Sequence, residues 1–170
     1  MSDERLIATT PSASWLPAGS TAEVWAGADC VVPEPCIIVR LLLVRPGDPG
    51  KAEFFCVPAH SGLDLPTLPL GSGSGCLPAA EGLALLAEQM LGRPLVAYRC
   101  IGYVRNVVPH ADADYPHPTP WAHVPVFTVS DGGEPVAEGT WMTLDSARPD
   151  LSVRHWWPIV DHHLTAVRER

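Results

Sequence analysis

The sequence predicts one α/β domain, of α+β layout, with a mixed sheet between helices. Short apolar runs recur between turn residues, a single strongly periodic helix sits mid-chain, and a second helical segment closes the chain. The 19 prolines and 14 glycines add to this, since that much punctuation disfavours a helical bundle. At 170 residues, with 46% hydrophobic and 18% charged side chains, the chain is long enough for one sizeable core.

Residues 1–22 are rich in Ser, Thr, Pro and Ala without periodicity, and read as a mobile lead-in; residues 23–170 form the domain. An edge strand is expected near Glu23–Trp25. Cys36–Val44 is a near-continuous apolar run ending at the turn residues 45–50, so it predicts a buried strand. Glu53–Val57 predicts another, stopped by Pro58. Residues 59–75 read as a long loop with prolines at 66 and 69 and the tract Gly71-Ser-Gly-Ser-Gly75. That tract lacks the Lys-Ser/Thr of a phosphate-binding loop and, with Gly73 at its centre, the nucleophile of a Gly-x-Ser-x-Gly elbow.

Leu77–Leu91 predicts a helix. Pro78 suits the first turn, Gly92 the C-terminal cap, and Ala80, Leu83, Leu86, Ala87 and Met90 form an apolar stripe. Strands are expected within 95–108 and 121–130, separated by a proline-rich loop from His110 to Pro120. A turn at 131–133, a strand over 138–144 and a terminal helix over 154–168 complete the order.

The formal charge of −8, from 11 basic and 19 acidic side chains, excludes the basic surface that a nucleic-acid polymer requires. The polar start and the absence of a long apolar run predict neither a signal peptide nor a membrane span. Five scattered cysteines without a Cys-x-x-Cys pair fit free thiols in a reducing, cytoplasmic setting. A homodimer through strand edges or the Trp-rich tail is an expectation from the commonness of symmetric pairs.

Several local sequences resemble the Nudix family. Phe55-Cys-Val-Pro-Ala-His60 is similar to its strand and glycine turn, Gly75-Cys-Leu-Pro-Ala-Ala80 to the entry into its helix, and Leu86-Ala-Glu-Gln-Met-Leu-Gly92 to the closing half. Gly139–Asp145 and Arg154–Pro158 are similar to the last strand and helix, so the resemblance spans roughly residues 23–165. It implies a mixed sheet sandwiched between helices, and a magnesium- or manganese-dependent hydrolase of diphosphate linkages.

The motif departs from the family where the metal would bind. With Pro78 on the usual proline, Ala84 falls on the motif arginine, Leu85 on the main metal-binding glutamate, and Glu88 and Gln89 on the glutamate pair. Magnesium requires hard oxygen ligands, which leucine lacks. Glu81 and Glu88 share a helix face, yet lie about 10 Å apart along the axis at about 1.5 Å per residue. The expected function is therefore binding of a small, nucleoside-diphosphate-type ligand with hydrolysis lost or weakened. The alternatives are an active divergent hydrolase with Glu88 and Glu81 as ligands to Mg or Mn, or a repurposed enzyme using loop histidines as acid and base.

Candidate residues follow from these readings. Glu88 and the loop-region histidines His110, His117 and His123 are the catalytic candidates, since imidazoles titrate near neutrality and loops carry function. The seven histidines show no His-x-His or His-x-x-x-His spacing of a zinc site. Arg40, Tyr103 and Arg105 lie in expected strands, where a charge must find a partner or reach a pocket, and His60 lies in the turn that replaces the paired glycines. The six tryptophans could supply core area or stack on a planar ligand.

Overall fold

The computed structural model describes residues 3–48, 51–71, 73–94, 97–129 and 133–169. A six-stranded mixed sheet forms its centre. It is built from β1 (Arg5–Pro11), β2 (Thr21–Cys30), β3 (Ile38–Leu42), β7 (Thr67–Pro69), β8 (Tyr98–Val107) and β9 (Trp121–Val129), in the order β1-β2-β8-β9-β3-β7. Among the described strands the β3–β9 pair alone is parallel, extended by a parallel bridge between Cys36 and His123. A smaller sheet joins β10 (Thr140–Met142), β5 (Ala52–Ala59) and β4 (Val44–Pro46), and β6 (Gly62–Asp64) pairs with β5.

Helix α1 (Ala79–Leu91) packs on β3 and β7, covering one side of the large sheet. Its buried residues Leu83, Leu86 and Leu91 join Val39, Leu41, Tyr103 and Phe127 in one hydrophobic layer. Gly92 closes it in the left-handed region at φ 67°, as the sequence predicts. The opposite side is covered by α2 (Leu144–Leu151) and α3 (Trp157–Arg168), where Trp156, Ile159, Val160 and Leu164 meet Leu42, Phe54, Val104 and Val126. The mixed sheet sandwiched between helices is the expected layout.

Several local expectations change. The stretch expected as an unstructured lead-in contains β1, hydrogen-bonded to β2 along its length. Polar Thr and Pro residues suit an exposed edge strand, which shows no alternation to the eye. Glu23–Trp25 belongs to the ten-residue strand β2 inside the sheet, rather than to an edge. The loop over 59–75 holds β6, β7 and a single 3₁₀ turn at Gly73–Gly75. Helix α1 starts at Ala79, with Ala80 on its exposed side. The expected last strand shrinks to β10, because Thr143 caps α2 reciprocally with Ser146. The terminal helix begins at Trp157 rather than Arg154. Most of the turn at 131–133 lies outside the described residues.

Candidate functional site

Sheet register, rather than proximity in sequence, builds the most chemically loaded cluster. Glu23 pairs with Arg105 across β2 and β8, and Arg105 with His123 across β8 and β9, so one row crosses three strands. In the neighbouring rows, Trp25 opposes Tyr103 and Trp121 opposes Val107. Side chains two apart along a strand share a face, which gathers Glu23, Trp25, Tyr103, Arg105, Trp121 and His123 on one side of the sheet. On this side α1 packs mainly over β3 and β7, and its layer reaches Tyr103 and Phe127.

The Arg105 guanidinium is the centre of the cluster. It lies 4.3 Å from the Trp121 ring centroid, 5.3 Å from Trp25 and 5.5 Å from Tyr103, within cation–π range of all three. Its Nη1 is 3.7 Å from Glu23 Oε1, which also accepts from the Trp25 indole at 3.2 Å. Trp121 is 45% exposed, so an outward aromatic face remains available beside a fixed cation.

His123 is buried behind this cluster, and its partners determine its tautomer. Arg105 Nε donates to His123 Nε2 at 3.0 Å, so Nε2 carries the lone pair. The proton then belongs on Nδ1, which faces the Pro35 carbonyl at 2.9 Å. Burial lowers the pKa of His123, the Pro35 hydrogen bond opposes this, and the adjacent Arg105 charge lowers it further. Tyr103 donates to Glu4 Oε1 at 3.1 Å, and its pKa is pushed up to about 12, first by burial and then by Glu4.

Beside the cluster, a cleft of about 550 Å³ opens between the segment Val32–Cys36 and the entry to α1, Cys76–Ala79. Its rear wall is shared with the cluster. His123 N donates to Pro35 O at 2.9 Å and Ile37 N to His123 O at 2.9 Å. Burial raises the Cys36 thiol pKa to about 12, with Glu34 and Cys76 adding to the effect.

The other candidates lie elsewhere. Glu81, Leu85 and Glu88 are exposed on α1, with Leu85 at 49% between the two carboxylates. Among the described residues no three His, Cys, Asp or Glu side chains gather as cation ligands. This donor set does not fit the magnesium or manganese that the resemblance implies. His60 is exposed in the β5–β6 turn, and His110 is exposed in the β8–β9 loop. His117 is half-buried in that loop against Tyr115, with ring centroids 5.5 Å apart. Its Nδ1 and the Tyr115 hydroxyl have no hydrogen-bond partner among the described residues.

Arg40 belongs to a second polar group on the α3 side. Its Nη1 donates to Asp64 Oδ1 at 3.1 Å and to Thr67 Oγ1 at 2.9 Å. Asp64 Oδ1 also accepts from Leu65 N at 2.8 Å and Trp156 Nε1 at 2.7 Å, while Arg154 Nη1 lies 3.8 Å from Oδ2. This group ties β3, β6 and the start of α3 together. Sequence reasoning missed Trp25, Trp121 and Glu23 as members of the first cluster, and Asp64 as the hub of the second.

His123 and His155 give the site side and the α3 side the same pH dependence. His155 is exposed on one side, yet partial desolvation beneath Trp15 lowers its pKa too, with Arg40 and Arg154 adding to the effect and Asp64 opposing it. The unfolded chain protonates at the ordinary value, about 6.5, before either folded imidazole does. The unfolded state therefore binds more protons below that pH, and stability present at neutrality is lost as the pH falls. Melting temperatures measured from pH 7.5 to 5.5 should decline below about 6.5, and His155→Gln should flatten the decline.

No family model matches the chain, and no curated protein sequence matches it. Among solved structures, the chain is similar to a crystal structure of the Bacillus subtilis pyrophosphohydrolase BsRppH, a glutamate-to-alanine mutant. The alignment covers 96% of this chain and 97% of that one, at a TM-score of 0.51 and 11% identity. The likeness shows a Nudix-like fold.

Proposed function

We propose that this Nudix-like chain binds a small planar ligand of the nucleoside type, with diphosphate hydrolysis lost or weakened. The observation that carries the reading is the cluster around Arg105, where a fixed cation stands against two tryptophans, one of them, Trp121, 45% exposed. An aromatic face beside a hydrogen-bonding cation suits a heterocycle, which stacks and pairs along its edge. Glu23 offsets much of the Arg105 charge, so the cluster favours the base over a polyphosphate. Leu85 between Glu81 and Glu88 supports the loss of metal-assisted chemistry.

The test is a panel of nucleosides and nucleoside diphosphate derivatives, followed by melting temperature and by phosphate and product release with magnesium and manganese. A bound ligand at 100 times its Kd should stabilise the protein by about 2.7 kcal/mol, roughly 5–10 °C for a domain of this size. Arg105→Ala should remove the shift, and Glu88→Ala should leave it intact with no release in either protein. Leu85→Glu should create measurable manganese affinity where the wild type has little, by placing a third carboxylate between Glu81 and Glu88.

The pyrophosphohydrolase described for the similar structure favours a second reading, an active hydrolase. Metal-dependent release that disappears in Glu88→Ala would establish that reading and overturn ours. Release that ignores chelator and depends on His110, His117 or His123 would instead identify acid–base chemistry in the β8–β9 region.

A further inference from the structure

On the side of the large sheet away from α1, a cavity of about 250 Å³ lies between β1, β2 and β8 and the connection from α2 to α3. Ala8, Ala22, Val24 and Val104 form its aliphatic wall. Trp15 and His155 form the other, with rings stacked 3.9 Å apart at an interplanar angle of 20°. Val153 is 79% exposed and Trp15 44% exposed at its rim, so two large apolar groups face solvent here.

The polar groups restrict the ligand further. Arg154 lines the cavity, yet its guanidinium donates to Leu63 O at 2.8 Å and Ser61 O at 3.3 Å and lies beside Asp64. Its alkyl stem is what it offers. The remaining polar side chains are Thr10, Ser152 and the His155 imidazole, which are hydrogen-bonding groups without a fixed charge at neutral pH. A carboxylate or phosphate would meet only the Arg154 guanidinium, which Leu63 O, Ser61 O and Asp64 already engage.

We propose that this cavity is a second binding site, which takes a small uncharged planar aromatic molecule against the stacked Trp15–His155 pair. The site is separate from the Arg105 cluster, which lies on the other side of the sheet.

Indole is the probe, titrated into the full chain and followed by amide chemical shifts. The expected result is saturable shifts confined to Ala22, Val24, Val104, Val153 and His155, with a Kd on the order of 1 mM for a ligand of this size. Ala8→Trp, at a half-exposed position of β1, should fill the cavity and weaken binding at least tenfold. Trp15→Ala should do the same by removing one ring, and a native-like spectrum shows that each variant is folded. Indole-3-carboxylate should bind more weakly than indole. Shifts gathered on Trp25, Arg105 and Trp121, no saturation, equal or tighter binding of the carboxylate, or unchanged affinity in both folded variants would each overturn the proposal.

Discussion

Asp64→Ala should lower the melting temperature by about 10 °C. The Asp64 carboxylate accepts from Arg40, Trp156 and the Leu65 amide, and stands beside Arg154. Removing it leaves Arg40, only 14% exposed at its side chain, as a cation whose remaining partner is a hydroxyl. Burial already lowers the Arg40 pKa, which Asp64 opposes. An orphaned buried charge costs about 3–5 kcal/mol, and about 3 kcal/mol is the appropriate end for a pair that keeps some solvent. At about 2–4 °C per kcal/mol, this yields the stated fall. The mechanism has its own control. Asp64→Leu combined with Arg40→Met removes both charges, and should recover much of the loss. A single mutant that melts within 2 °C of the wild type would show that water, rather than Asp64, neutralises Arg40.

The contrast between Arg40 and Arg105 shows what a sequence can and cannot display. Both are arginines in apolar strands, and both read as candidate ligand contacts. Arg40 finds Asp64 and Arg105 finds Glu23, through pairings set by β3 against β7 and by β2 against β8. Such partners are 24 and 82 residues away, and no local period announces them. Helix α1 was legible because its stripe and its cap are local signals. Helix α2 was not, since Pro149 sits inside its eight residues and hides the period, while its start depends on a Thr143–Ser146 pair. In the site, Tyr103 and Arg105 were accessible as chemistry-bearing strand residues, whereas His123, read among the loop-region histidines, is buried inside β9. Trp25 and Trp121 could be recognised as their neighbours only once the register was known. The place of Leu85 between Glu81 and Glu88 on one face of α1 was legible outright, since a helix face follows from spacing alone.

Gly102→Ala should destabilise the protein by about 2–3 kcal/mol and also disturb the Arg105 cluster, which links the core to the site. Gly102 lies in β8, between β2 and β9 and next to the irregularity in the pairing at Cys100. A Cβ there would sit 2.5 Å from the Trp25 carbonyl and 2.8 Å from Ile159 Cγ2. Ile159 is fully buried at the start of α3, and the carbonyl belongs to a paired strand, so neither neighbour yields cheaply. Overpacking of this kind costs about 1–3 kcal/mol, and the backbone contact places it at the upper end. The strain has a definite outlet: β2 must move away from β8 at Trp25, which opposes Tyr103 in the register. Trp25 then shifts relative to Arg105, so the variant should lose ligand-induced stabilisation as well as thermal stability. Ile159→Ala alone opens space on the α3 side without touching the ladder; it should cost stability yet preserve ligand binding in the protein that remains folded. Equal ligand response in Gly102→Ala and wild type would mean that the cluster is held by its own cation–π and hydrogen-bond contacts rather than by the spacing of β2 and β8.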